Sequence, residues 1–168
     1  MNFTKIGKWD VEEQLTHQNG LVETNFLKDA SGNYHCPIKI NIHNPLDYKV
    51  FVSFIYLDMN FRIHPAMLQP SVVELEAGST AYTWAGKPIP FKLGEQVRVF
   101  EMPASISYFQ LLLSTEPFKV DYLQQDPLPI PTIKTARAAE APAISFKDYA
   151  ALSNWNSRLF TIKINNPN

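Results

Sequence analysis

The residues of this chain best equipped for chemistry are the adjacent pair His35-Cys36, three further histidines at His17, His43 and His64, and the carboxylates at Glu12-Glu13, Asp58 and Glu74/Glu76. A thiol nucleophile needs an imidazole that converges on it, whereas neighbours on an extended chain point to opposite faces, so His35 is not placed to activate Cys36. No motif surrounds the other histidines. Free cysteine is among the most buried residue types, and Cys36 reads as structural. Four histidines that stand singly lack the close pairs that build a zinc site. Asp58-Met59-Asn60 opens like a calcium loop but lacks the downstream glycine and bidentate glutamate, so a turn explains it. The six glycines lie far apart, which leaves no glycine-rich phosphate cradle, and the acidic pairs fit solvated faces. The expectation is a chain with no catalytic residue, no metal and no cofactor, and therefore not an enzyme. Trp9, Trp84 and Trp155, with Tyr82 and Tyr108, offer one other chemistry, a stacking platform for sugars. The ordinary place for aromatics is the core, so a carbohydrate- or small-ligand-binding sandwich stands as the alternative function.

Composition narrows the partners. Fifteen basic residues against sixteen acidic ones leave a formal net charge of -1, so no global field draws in nucleic acid or an anionic membrane. The longest apolar run, Val50 to Leu57, falls far short of the ~20 residues of a membrane-spanning helix. The single cysteine cannot form an internal disulfide, and MNFTKIGKWDVEE has no apolar stretch of the secretory kind, which together give a cytoplasmic expectation.

The elements that must hold these residues read as strands. A length of 168 residues, 45% hydrophobic with 13 prolines, suits one domain made of strands joined by many loops. Residues 1–36 are an N-terminal strand and loop segment, in which Leu21 to Leu27 is expected as a strand between turns at Gln18-Asn19-Gly20 and Asp29 to Asn33. Ile38, Ile40 and Ile42 alternate with Lys39, Asn41 and His43, the period of a half-buried strand. After a turn at Asn44 to Asp47, the run Tyr48 to Leu57 is apolar on both faces and reads as central. Asp58-Met59-Asn60 reverses the chain into Phe61-Arg62-Ile63. Short strands are expected at Val72–Leu75, Thr80–Trp84, Ile89–Leu93, Gln96–Phe100 and Ser107–Ser114, with a closing strand over 155–165 in which Phe160, Ile162 and Ile164 share a face. No βαβ alternation appears. The fold class that follows is an all-β, antiparallel β-sandwich, Ig-like or jelly-roll-like, of about 7–9 strands.

Between the last two strands, residues 115–145 carry five prolines, with Pro127, Pro129 and Pro131 alternating, and can be neither a central strand nor a continuous helix. Short helical turns are expected at Pro117–Gln125, where Phe118, Tyr122 and Leu123 recur about one turn apart, at Ala136–Ala141 and at Phe146–Leu152. Proline-rich segments are already extended and often carry recognition. The candidate contact surface is therefore Gln125 to Thr135, above all Gln125, Asp126, Pro127, Leu128, Pro129, Ile130 and Pro131. The competing explanation is a loop that only wraps the sandwich, which gains if Phe118, Tyr122 and Leu123 pack on a sheet.

Three stretches carry a family resemblance: IKINIHNPLDYKVFVSFIYLDMNFRI, then LEAGS, then YFQLLLSTEPFKVDYLQQ, in which a Leu-rich strand runs into a Ser-Thr-Glu segment followed by Phe and a Tyr-Leu pair. From Ile38 to Pro131 the chain resembles the β-sandwich domain that follows the peptidase domain in bacterial caspase-like proteins of the metacaspase and orthocaspase type. The terminal element Trp155 to Ile164 is similar as well. No His-Gly followed by an Asp-x-Cys nucleophile segment occurs here, so the family's catalysis does not carry over. The resemblance implies a non-catalytic accessory or protein-interaction role, with a caspase-like protease or its substrate as the partner.

Overall fold

In a computed structural model of the chain, residues 1–58, 62–128 and 154–166 are described. They form thirteen strands in two facing sheets. The first sheet is built on the strand Tyr34–His43 (β6), whose Cys36, Ile38, Ile40 and Ile42 are buried in the expected alternation. On one side β6 pairs with Asn2–Ile6 (β1) and Leu27–Lys28 (β5), and β1 in turn with Glu12–Leu15 (β2). On its other side lie Thr80–Tyr82 (β10) and Ile89–Lys92 (β11).

The second sheet runs His17–Gln18 (β3), Leu21–Asn25 (β4), Trp155–Asn165 (β13), Ala104–Ser114 (β12) and Val50–Leu57 (β7), with Ile63–His64 (β8) and Val72–Leu75 (β9) both paired to the far side of β7. The doubly apolar β7 is central, as its sequence implies. The architecture is the expected all-β sandwich, with one departure from antiparallel pairing: β13 runs parallel to β4. The higher strand count comes from two-residue segments such as β3, β5 and β8, too short to show a period in sequence.

Three expectations change. Leu21 to Leu27 is two strands, because the chain crosses between sheets at the buried Phe26. The segment expected as a strand at Gln96–Phe100 contains instead a short helix, Glu95–Val99 (α1); it joins β11 in one sheet to β12 in the other, and only Val97 of its apolar residues is buried. The strand expected at Thr80–Trp84 stops at Tyr82 and passes into a 3-10 turn at Thr83–Gly86.

Asn44 explains why the turn after β6 is so legible. Its buried side-chain amide donates to the carbonyls of Tyr48, Leu75 and Glu76 at 2.9, 3.1 and 3.1 Å, while its Oδ1 accepts from the Leu46 amide. The two chain reversals that carry β6 to β7 and β9 to β10 across the sandwich are thereby tied at one residue.

A candidate binding cleft

The inner face of the second sheet carries a ladder of rings. Phe54 stacks on Phe109, Phe109 on Tyr56, and Tyr56 on His64, with centroids 5.1, 4.9 and 5.4 Å apart. Facing it from β11, Phe91 meets both Tyr56 and Phe109 edge-on. Cross-strand aromatic pairs of this kind stabilise a sheet beyond simple burial. At its Phe54 end the ladder is core. At its His64 end the sheets are no longer covered, and a cleft of about 1020 Å³ opens between β8 of one sheet and β11 of the other.

The floor of the cleft is Tyr56, Ile89, Phe91, Ser105 and Ser107. Burial, reinforced by the nearby Asp58 charge, raises the Tyr56 phenol above its ordinary value despite an opposing hydrogen bond to Ser107 at 3.4 Å. Tyr56 is thus a neutral hydroxyl across the physiological range. His64 Nε2 sits 3.7 Å from Asp58 Oδ2, and the same carboxylate's Oδ1 accepts the Arg62 amide, which fixes the start of the loop that leaves β7.

At one lip stands Trp84, 45% exposed. It and Ala85 hold left-handed backbone at φ 48° and 53°, followed by Gly86 at 78°, and the Trp84 amide is pinned to the Met67 carbonyl at 2.9 Å. Two consecutive non-glycine residues in that region cost on the order of 1 kcal/mol or more each, as they also do at Trp9 and Asp10 in the β1–β2 turn.

The opposite wall is the start of the proline-rich segment. Gln125 exchanges two backbone hydrogen bonds with Ile63, at 3.0 and 3.3 Å, which zips it to the outer edge of β8, and Gln124, Gln125 and Asp126 line the cleft. Pro127 and Leu128 follow, the latter exposed, whereas Pro129, Ile130 and Pro131 lie outside the described residues, as do the helical turns expected at Ala136–Ala141 and Phe146–Leu152.

Residues before Gln125 do wrap the sandwich. Phe118 packs against Trp155 at 4.5 Å, Val120 is buried, and Ser71 donates to Asp121 at 2.7 Å, so 115–125 crosses the outer face of the second sheet. Of the three residues singled out by spacing, Phe118 packs, Leu123 is half-buried and Tyr122 is almost fully exposed; the helical turn is a single 3-10 turn at Asp121–Leu123. Wrapping accounts for the segment up to Gln125, where the cleft wall begins.

Of the residues weighed for catalysis, His64 and Asp58 come together as the 3.7 Å pair in the cleft, and Cys36, His17 and His43 lie apart from them. Cys36 is fully buried, and burial pushes its thiol up to about 11. His17 packs edge-on to Phe3 and Phe160 on the far side of the sandwich. His43 meets Thr80. Among the described residues no three His, Cys, Asp or Glu side chains are grouped to hold a metal. The tryptophans are likewise dispersed: Trp84 lines the cleft, Trp155 lies under Phe118, and Trp9 projects from the β1–β2 turn.

No family model matches the chain, and no curated protein matches it. Among solved structures it is similar to the Salmonella enterica SafA pilin in complex with the SafB chaperone, with a TM-score of 0.36 and 9% sequence identity over 88% of this chain. The match spans about half, 51%, of that structure's chain. A likeness of this size carries no argument about site or partner.

Proposed function

We propose that this chain is a non-catalytic protein-interaction domain that makes contact through the cleft and the wall Gln124–Leu128. One observation carries the reading: Gln125 and Asp126, which open the candidate contact segment singled out by its prolines, line the cleft, with Gln125 bonded to β8 and Leu128 following at 52% exposed. Concave, largely preformed sites with an aromatic floor and a few placed polar groups are where partners bind. The caspase-like setting enters the proposal through the resemblance of Ile38 to Pro131, which makes a caspase-like peptidase or a protein that it cleaves the partner to look for.

A photo-reactive phenylalanine analogue placed at Leu128, and another at the remote Lys163 as a control, tests this. Cross-linking in native extract followed by mass spectrometry is expected to give a discrete protein adduct from position 128 and none from 163. Adducts that are equal at both positions, or absent at 128, would sink the proposal.

A further inference from the structure

We infer that the cleft takes a proline-rich segment of a partner protein in the polyproline II conformation; this rests on the reading of the cleft as a protein-contact surface. Partner chains commonly add a strand to an exposed sheet edge, and both backbone edges that face this cleft are poorly suited to that mode. On one side, Ile63 has given its amide and carbonyl to Gln125. On the other, Pro90 lies opposite Pro37 in the β11–β6 register. Neither proline has an amide to exchange, so they form a non-bonded pair, and the backbone of Pro90 faces outward with a carbonyl and no N–H. A strand docking on β11 would find the Lys92 amide and carbonyl but no donor at Pro90, the other outward position of the strand.

Recognition must therefore come from side chains, and the ligand suited to that is one whose backbone needs no ladder. A polyproline II segment has no internal hydrogen bonds and presents its carbonyls to solvent. The cleft answers with donors, the amides of Gln69 and Gln124, the Tyr56 hydroxyl and the Trp84 indole, around apolar surface from Phe91 and Met67. Trp84, held at the lip by its strained turn, supplies the flat face against which a pyrrolidine ring packs. Glycans favour repeated open ring faces, and here Tyr56 is stacked on both sides, by His64 and Phe109, which leaves Trp84 as the open platform among the cleft rings. Rim charges of both signs, Arg62 and Lys92 against Glu95 and Asp126, favour a segment without strong net charge.

The test uses the full chain and named probes: acetyl-(Pro-Pro-Leu)3-amide, the unstructured control acetyl-(Gly-Ser-Leu)3-amide, cellohexaose and chitohexaose, titrated by calorimetry and by tryptophan fluorescence. Saturable binding of the proline peptide is expected, at least about tenfold weaker for the control peptide and for Trp84→Ala. Thermal unfolding of Trp84→Ala close to that of the parent chain confirms that the variant is folded. Binding of a hexasaccharide in preference to the peptide, or peptide binding unchanged by Trp84→Ala, overturns the inference. If the peptide does not bind while position 128 still cross-links a protein, only the ligand class falls; if both fail, the contact reading falls with it.

Discussion

The two long sides of this sandwich are finished in opposite ways. On one, the chain itself seals the gap: it crosses between sheets at Thr16 and again at Phe26, and Phe3, Phe160 and His17 fill the space beneath. On the other, the crossing between β9 and β10 closes only one end, tied by Asn44, and at the other end the sheets part to expose the His64 end of the aromatic ladder. Edge strands invite unwanted pairing, and each side manages that hazard differently. The sealed side ends in Glu12, Glu13 and Gln14 on β2, all exposed, and in the two-residue β3. The open side uses Pro90 and the Gln125 bridge, which remove donors and acceptors that a new strand would need and still leave a concave surface accessible.

If the sealed side is structural and the open lip is not, matched truncations must diverge. Phe160→Ala removes a ring that is 2% exposed between Phe3 and His17, and about 3–5 kcal/mol of stability is expected to go with it. Trp84→Ala at the lip is expected to cost under about 1 kcal/mol, since the side chain is half open and alanine inherits the same strained backbone. Urea unfolding of the two variants measures the gap, and equal losses would erase the distinction. At the tied end of the open side, Asn44→Ala strands the buried carbonyl of Leu75 and the part-buried one of Glu76. A loss of about 2–3 kcal/mol is expected there by the same measurement.

Much of this was legible in the sequence, for identifiable reasons. Ile38, Ile40 and Ile42 and the face of Phe160, Ile162 and Ile164 alternate strictly because one face of each strand is buried, and each appears where the period places it. Val97 and Val99 in Gln96–Phe100 alternate too, yet the segment has to bridge two sheets; it coils, with Met102 N bonded to Val97 O, since no strand edge lies beside it. The cleft was barely legible, because it assembles short stretches far apart in the chain, from Tyr56 to Asp126. Proline spacing found Gln125 and Asp126 on its wall. Trp84 carried a usable signal in Trp-Ala-Gly, an aromatic placed in a turn rather than in a strand, but nothing in the sequence fixes its left-handed backbone.

Glycines give a finer probe of the same contrast. Gly20, on the sealed side, has φ +87°, donates no space to a side chain, and would place a Cβ 2.6 Å from the Leu159 carbonyl oxygen, while its own carbonyl accepts from Thr161. Gly86, at the lip of the cleft, has φ +78° with nothing within 4 Å of a Cβ. Gly86→Ala pays conformational strain alone, about 1 kcal/mol, and Gly20→Ala adds a collision with backbone that has to move, for about 2–3 kcal/mol in all. Thermal melts of the two variants, read side by side, are expected to rank them in that order; the reverse order would mean that the sealed side is looser than its packing implies.

The smallest expected change in stability is also the sharpest test of how the open side is protected. Pro90→Val restores an outward amide to the exposed edge of β11 with a residue that favours extended backbone. Because Pro90 makes no ladder bond to Pro37, the substitution removes none, and unfolding free energy is expected to stay within about 0.5 kcal/mol of the parent chain. What changes is the edge: β11 gains a second outward donor and acceptor pair beside that of Lys92, and sedimentation velocity is expected to show more concentration-dependent self-association than the parent chain does. Strand-on-strand association through β11 would also narrow the cleft mouth, so the self-associated variant is expected to bind the proline peptide more weakly as its own concentration rises. A monomeric Pro90→Val chain at high concentration would mean that some other feature guards this edge, and that at the cleft only the Gln125 bridge stands against strand addition.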